Sequence, residues 1–323
     1  MPFSTDNKKA IRTVWAKPLL KFICRQLNSK LIYFGLPSPH TQDVNEWIEY
    51  IEKVIAFQCD DERYPNAYND LYSALKLLED KQQISTFNAF NGYLEEVILQ
   101  GYDNSESTQL FELNEVITLY NLDFCNSIDS PIEIIDQKGI NRKVYKFDAI
   151  NKLLEIQKSL SSISTKFILF LTVQCSYKGG ELVEYLDTSD YKEYIKAIRT
   201  NLNSHQFNSR IVRLFVCDTL SNYFRTFGFT PKFFPTIYYE GDNGIPLLHF
   251  TVIGTKNESA GLAIWYQSLQ NIINSKFVVI ENENFANQTT ENINENDNEQ
   301  LNPVDYFSNS NTFNKIWKKE TKV

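Results

Sequence analysis

Two patterns of apolar residues alternate along the first half of the chain. Short uninterrupted apolar runs predict buried strands, and apolar residues at i, i+3 and i+4 predict amphipathic helices. Strands are predicted at Leu31–Phe34, Val54–Phe57, Ile84–Phe87, Glu115–Leu122 and Lys166–Val173. Helices are predicted at Trp15–Leu27, Ser38–Ile51, Tyr64–Leu78, Leu94–Leu99 and Val144–Leu160, with a loop over 126–143. Short strands separated by helices indicate a parallel sheet that is covered on both faces.

The C-terminal third changes the pattern. Ile211–Val216 is apolar throughout, but the apolar positions continue at 3.6-residue spacing up to Gly228, which predicts a helix. Phe233–Tyr239 and Leu247–Ile253 flank a Gly- and Asn-containing turn and predict a hairpin, and Ser259–Ile273 predicts a closing helix. The predicted fold class is therefore α/β, a Rossmann-like, doubly wound, mostly parallel seven-stranded sheet with a C-terminal antiparallel hairpin.

The composition changes after Ile280. Eleven of the 34 residues from 281 to 314 are Asn, and apolar residues are sparse. Such a segment buries too little apolar surface to offset its ordering entropy, so the sequence predicts a disordered tail. Residues 1–280 form the predicted α/β domain, with a basic helix in 1–30, and 281–323 form the tail. The aromatic residues at its end either dock onto a partner or the body, or belong to a frayed terminus.

Charge is distributed unevenly. The 323 residues carry a net charge of −8, which argues against a strongly basic nucleic-acid binder. Residues 1–30, however, hold seven Lys or Arg and one Asp, a net charge of +6. This basic N-terminal segment either contacts phosphate groups or forms a solvated helix face. An acidic body of this kind would meet nucleic acid only with a partner's help or through the basic N-terminal segment.

Cysteine and histidine usage excludes several classes of protein. The five cysteines are scattered, no C-x-x-C occurs, and the three histidines lie far apart, so no metal site is predicted. Scattered cysteines fit a reducing cytosol. No apolar run reaches the length of a signal peptide or of a membrane-spanning helix, and the predicted location is cytoplasmic.

Ligands of open α/β sheets bind beyond the carboxyl ends of the strands, so the residues there carry the candidate chemistry. Gly35, Leu36 and Pro37 follow the first predicted strand. Gln58 and Asp60 follow the second one. The third is followed by Asn88 and Asn91, and the fourth ends in Asn121, Asp123 and Phe124. No P-loop and no G-x-S-x-G motif occurs.

Over roughly residues 15–275, this element order and the four strand-end motifs resemble the class I S-adenosylmethionine-dependent methyltransferases. The chain is also similar to methyltransferase-related proteins that accompany three-cysteine-motif partners, several of which lie in bacterial defence islands. The chain departs from the family pattern at several strand ends, and Tyr93 stands where the family often has Asp. The second and third glycines of the family's loop are absent after Gly35, and Gln58 stands where the family has an acid.

The resemblance implies a role for each strand end. Gly35, Leu36 and Pro37 would face the methionine part of S-adenosylmethionine. Gln58 and Asp60 would accept hydrogen bonds from the ribose hydroxyls, and Asn88 and Asn91 would lie near the adenine. Asn121, Asp123 and Phe124 resemble the Asp-Pro-Pro-Tyr or Asp-Pro-Phe-Gly motif of amino-group methyltransferases, without its prolines. In that motif the polar group orients the target nitrogen and the aromatic ring stacks on the substrate.

The residues themselves leave simpler readings open. Gly35 also fits an ordinary strand-to-helix turn. Asp60 also fits a negative helix N-terminus, and Asp123 a helix cap or turn residue. Asn91 with the following glycine also fits a plain turn. Glu95 is expected to face solvent.

Two functions are therefore expected from the sequence. The first is an S-adenosylmethionine-dependent methyltransferase that acts on a nucleic-acid base or a protein side chain. The alternative is a catalytically inactive methyltransferase-like sensor or scaffold subunit of a bacterial anti-phage defence system, with another protein of the same system as its partner.

Overall fold

A computed structural model describes residues 6–62, 64–124, 126–135, 139–162, 165–175, 195–196, 199, 204–241, 244–256, 277–281 and 284–288. The strands are β1 Leu31–Gly35, β2 Ile51–Gln58, β3 Thr86–Asn91, β4 Leu119–Asp123, β5 Ile132–Ile135, β6 Asn141–Val144, β7 Lys166–Gln174, β8 Phe229–Phe233, β9 Ile237–Glu240, β10 Pro246–Lys256, β11 Phe277–Glu281 and β12 Asn284–Gln288. The α-helices are α1 Asp6–Ala10, α2 Lys17–Leu27, α3 Gln42–Glu46, α4 Ala67–Asp80, α5 Leu94–Gln100, α6 Lys146–Leu160 and α7 Ser204–Thr226.

Within the described residues, ten strands form the mixed sheet that organises the fold. Its strand order is β12-β11-β9-β10-β7-β4-β1-β2-β3, with β8 also paired to β10. The block β3-β2-β1-β4-β7 is parallel, and β10 runs antiparallel to β7. The predicted Rossmann-like α/β class with antiparallel C-terminal strands is confirmed. The sheet has more than the seven expected strands because β8, β11 and β12 join its antiparallel end. The strand order reverses at β1 and β4, where such sheets bind ligands.

Strand alternation divides the core into two layers. Neighbouring residues of β1 show this division, since Tyr33 packs with the N-terminal helix and α4, whereas Phe34 packs with α5, α6 and α7. Side chains of a strand alternate between faces, so a strand buried on both sides is apolar in sequence. This is why the apolar runs predicted the central strands correctly.

The N-terminal helix is longer than the sequence predicts. It begins at Asp6, passes through a π-helical turn at Ile11–Ala16 and continues as Lys17–Leu27. Trp15, Leu19 and the other apolar residues of its inner face are buried, which satisfies the apolar stripe that predicted a helix over Trp15–Leu27.

Two local predictions were wrong. The helix expected over Ser38–Ile51 ends at Glu46, a 3-10 turn follows at Ile48–Tyr50, and Ile51 starts β2 opposite Leu31. Pairing with β1 overrides the helical spacing of these apolar residues. The loop expected over 126–143 contains an antiparallel hairpin of β5 and β6, with Gly139 at a φ of 75° near its turn.

The predictions for the C-terminal third have different outcomes. Helix α7 covers Ile211–Val216 as expected, and β9 and β10 form the predicted hairpin. The closing helix at Ser259–Ile273 lies outside the described residues. The range assigned to the tail, 281–323, begins with the last residue of β11 and contains β12, and the residues after Gln288 lie outside the described residues.

Candidate functional site

The N-terminal helix lies against the carboxyl ends of the central strands. Its residues Lys8, Ile11 and Arg12 line a small cavity together with Asn121 and Asp123 of β4. The remaining lining residues come from the end of the π-helical turn, from α3 and the residue after it, and from β7, β9 and β10: Ala16, Asp43, Trp47, Thr172, Tyr239 and His249. The cavity has a volume of about 30 Å³, which is room for about one water molecule. We call this the strand-end site.

Asp123 is bound by the protein's own N-terminal helix. The ammonium group of Lys8 donates to Asp123 Oδ2 at 2.8 Å. The two side chains are 17% and 27% exposed, so the pair is largely shielded from water. Partly buried pairs are screened less by salt than exposed ones. The carboxylate that was predicted to orient a substrate nitrogen therefore holds a nitrogen of the same chain.

A second ion pair lies beside the first. Arg12 Nε is 2.8 Å from Asp43 Oδ1, and Arg12 also donates to the Gln42 amide oxygen at 3.1 Å. Burial raises the pKa of the Asp43 carboxyl, and the Arg12 guanidinium opposes that effect. The Asn121 amide donates to Asp43 Oδ2 at 2.8 Å and to the Tyr33 hydroxyl at 3.1 Å. Both donor hydrogens of this predicted catalytic amide therefore have partners inside the protein.

A third polar chain connects the site to the antiparallel part of the sheet. His249 is buried, with Nδ1 3.0 Å from the Thr172 hydroxyl and Nε2 3.4 Å from the Thr251 hydroxyl. Burial lowers the pKa of His249 to about 4, so the ring is neutral at neutral pH. The indole of Trp15 donates to Thr251 at 2.9 Å. The N-terminal helix is thereby joined to β10 as well as to β4.

The loop after β1 packs against β4 instead of forming an open cradle. A Cβ at Gly35 would lie 2.1 Å from the Asn121 carbonyl oxygen, so glycine is required there for strand packing. The Leu36 amide donates to that same carbonyl at 3.0 Å. Leu36 is partly buried in the core and Pro37 is buried. The glycine predicted to approach a cofactor therefore has a structural explanation.

Gln58 and Asp60 also have internal partners. The Gln58 amide donates to the Cys59 carbonyl at 3.2 Å. Asp60 Oδ1 accepts from the backbone N–H of Tyr68 at 2.8 Å, in the first turn of α4. A carboxylate in this position satisfies an unpaired amide and complements the helix dipole. This contact agrees with the alternative in which Asp60 lies at a helix N-terminus.

Asn88 lies within β3, whereas Asn91 lies at its carboxyl end. Asn88 pairs with Ile55 within the strand, and Asn91 pairs with Gln58 at its end. The backbone N–H of Asn91 donates to Asp103 Oδ2 at 3.1 Å, and the other Asp103 oxygen accepts from Ser105 and Gln109. Although burial favours the neutral acid, these hydrogen bonds hold the pKa of Asp103 below its usual value. Asp103 closes the loop beyond β3, a role that the sequence analysis missed.

Phe124 is a core residue. It is 4% exposed, and the Lys146 ammonium group lies 5.8 Å from its ring centroid. Lys146 in turn lies 3.9 Å from the carboxylate of Glu95 and donates to the Ser130 carbonyl at 3.2 Å. Glu95 is buried, which corrects the expectation that it faces solvent. No face of the Phe124 ring is open to a substrate in this arrangement.

The strand ends bring together only part of the predicted set. Asn121 and Asp123 share the strand-end site, and Gly35 lies beside Asn121. Thr172 was expected at a strand end, whereas Lys8, Arg12, Asp43 and His249 were not predicted as members of the site. The +6 charge of residues 1–30 was the one available signal. The sequence predicted that this charge contacts phosphate or faces solvent. In the structure Lys8, Arg12 and Lys17 all bind acidic side chains of the body, which neither expectation included.

S-adenosylmethionine does not fit this arrangement of residues. The cavity at the strand ends is about a tenth or less of an ordinary ligand site in volume, and none of the residues predicted to bind the cofactor lines it. The loop amide after Gly35 and Asp60 Oδ1 already have hydrogen-bond partners. In the described part of the chain, no three His, Cys, Asp or Glu side chains are placed to hold a metal ion. None of the described helices is long and apolar enough to cross a bilayer.

Comparison with known proteins yields distant structural similarity. No family model matches the chain, and no curated protein does. An O-methyltransferase from Bacillus cereus, solved in complex with SAH, is 11% identical, with 75% of this chain and 80% of that chain covered and a TM-score of 0.35. An rRNA methylase from Streptococcus thermophilus is 12% identical, with 74% and 94% covered and a TM-score of 0.33. A putative RNA methyltransferase from Pyrococcus horikoshii is 11% identical, with 75% and 84% covered and a TM-score of 0.35.

Proposed function

We propose that this protein is a methyltransferase-like α/β module that binds another protein and does not itself transfer methyl groups. One observation carries the proposal: Lys8 occupies the carboxylate of Asp123 at 2.8 Å, at the point where such a fold would hold its substrate. A substrate amine cannot reach Asp123 while this ion pair persists.

The positions predicted for the cofactor support the same conclusion. Gly35 serves strand packing, Asp60 serves the N-terminus of α4, and the Gln58 amide donates to the Cys59 carbonyl. Each of these groups has an internal partner that explains its residue type. The sequence departures at Gln58 and after Gly35 agree with this arrangement.

The hairpin of β5 and β6 offers a surface for a protein partner. It lies outside the main sheet, and its residues Ile135 and Ile140 are 58% and 57% exposed. Because this hairpin stands apart from the main sheet and carries these exposed apolar side chains, it is the candidate surface for the partner. That the partner belongs to an anti-phage defence system rests on the sequence resemblance alone.

A second candidate is an amino-group methyltransferase that uses S-adenosylmethionine. The observation that favours it is the retention of Asn121 and Asp123 together at the end of β4, where the strand order reverses. This function requires the N-terminal helix to leave the strand-end site before cofactor and substrate bind.

Calorimetric titration separates the two functions. S-adenosylmethionine and S-adenosylhomocysteine are titrated into the full chain and into a Lys8→Ala variant. We expect no binding to either protein up to millimolar cofactor. Binding to the wild-type chain would overturn the proposal. Binding gained only in Lys8→Ala, with methyl transfer to cell extract lost when Asp123→Asn is added, would establish the second candidate instead.

A further inference from the structure

The first two turns of the N-terminal helix are held to the body mainly by polar contacts. We call Asp6–Arg12 the plug segment. Lys8 binds Asp123, Arg12 binds Asp43 and Gln42, and the Asn7 amide donates to the Glu240 carbonyl at 3.1 Å. Ala10 and Ile11 are its buried apolar residues.

The rest of the helix is anchored differently. Trp15, Leu19, Leu20 and Ile23 are buried in the core layer that the helix shares with α4. Extensive apolar burial makes a segment open only with the whole domain, whereas a segment held by few apolar contacts can open locally. The boundary between the two behaviours falls inside the π-helical turn Ile11–Ala16. π-helical turns are rare and frequently occur at functional sites.

The charges of the plug segment match those of the site. Lys8 and Arg12 are four residues apart, a spacing that places helical side chains on one face. They meet the two carboxylates Asp123 and Asp43, each at 2.8 Å. The side chains of Arg12 and Asp43 are 12% and 14% exposed. Both pairs are therefore largely shielded from water, and the Arg12–Asp43 pair is the less exposed of the two.

Removal of the plug segment would leave two carboxylates at one small site. Burying charge without a partner is costly, so an opened site would favour a cationic occupant. The Asn121 amide already donates to Asp43 and Tyr33 and adds no positive charge. The neutral ring of His249 adds none at neutral pH.

We propose that the plug segment is a self-bound occupant of the strand-end site. It leaves by local unwinding up to the π-helical turn, and the opened site accepts an alkylammonium or guanidinium group in place of Lys8 or Arg12. The proposal does not depend on whether the protein binds S-adenosylmethionine, because it concerns the cation that the carboxylates hold.

Hydrogen exchange of the full chain, measured by mass spectrometry, tests the proposal. We expect Lys8→Ala to speed exchange of the plug segment about tenfold or more, and to leave β4 and β7 nearly unchanged. Lys9→Ala is the matched control, since Lys9 is the exposed neighbour of Lys8. Lys8→Arg keeps the charge and should stay close to the wild type. Exchange that rises equally in the plug segment and the central strands would overturn local opening, as would no change at all.

Methylammonium chloride supplies the test of the ligand class. It should speed exchange of the plug segment in the wild-type chain, because a cation that takes the place of Lys8 beside Asp123 stabilises the opened site. Sodium chloride at the same ionic strength should speed this exchange less. Equal effects of the two salts, or no effect of methylammonium, would overturn the assignment of an ammonium site. Calorimetry measures cofactor binding, whereas hydrogen exchange measures opening of the plug segment. A negative result in one experiment therefore does not decide the other proposal.

Discussion

Replacing His249 with Gln should flatten the pH dependence of stability on the acid side. The His249 ring is buried between Thr172 and Thr251, and burial lowers its pKa to about 4, against 6.5 for an ordinary histidine. The unfolded chain therefore binds a proton between these two values while the folded chain does not. Its contribution to stability is fully present above pH 6.5 and is lost as the pH falls towards 4.

The size of the effect follows from the same two values. A depression of this size corresponds to about 2 to 3 kcal/mol of folding free energy between neutral pH and a pH near 4.5, at about 1.4 kcal/mol per pKa unit. Burial raises the pKa of Asp43, which has the opposite sign and is common to both proteins. The comparison between wild type and variant therefore isolates the histidine.

Urea unfolding at several pH values measures the difference. The wild-type chain should lose about 2 to 3 kcal/mol more than His249→Gln as the pH falls from neutral to near 4.5. His40→Gln is the matched control, since His40 is exposed, and it should follow the wild type. If wild type and His249→Gln show the same slope, the reasoning about the buried neutral ring is refuted.

Two further substitutions test the packing around the strand ends. Gly35→Ala places a Cβ against the Asn121 carbonyl and should cost about 1 to 3 kcal/mol in urea unfolding; a loss within 0.5 kcal/mol, roughly the range of neutral surface changes, would contradict the close approach. Glu95→Gln removes the carboxylate that faces the buried Lys146 and should lower the free energy of unfolding by about 3 kcal/mol in the same assay. Glu106 is exposed, so Glu106→Gln is the control and should have little effect.

The parallel core and the long helix α7 were predictable because local pattern and tertiary role agree there. The run at Ile211–Val216 is apolar throughout, as in a buried strand. The 3.6-residue spacing of the apolar positions predicted a helix instead, and the structure contains that helix. Ile51 shows the opposite case. It fits the helical stripe of the preceding residues, and only its partner Leu31 across the sheet decides that it starts a strand.

The site was less predictable than the fold. Asn121 and Asp123 could be placed at a strand end, because strand ends follow from local pattern. Their partners could not, since Lys8 is 115 residues away from Asp123 in sequence. The uneven charge indicated that the N-terminus and the body carry opposite signs. Which lysine meets which carboxylate depends on packing, and packing is not visible in spacing or composition.

The hydrogen bond between Trp15 and Thr251 has a consequence for synthesis of the protein. These residues are 236 positions apart, so the helix cannot dock on β10 until almost the whole domain has been translated. At about 5 to 20 residues per second, this interval is on the order of ten to fifty seconds. For that time the nascent chain carries a basic helix and an acidic partial sheet that have not yet met, and both are available to chaperones or to a second nascent copy.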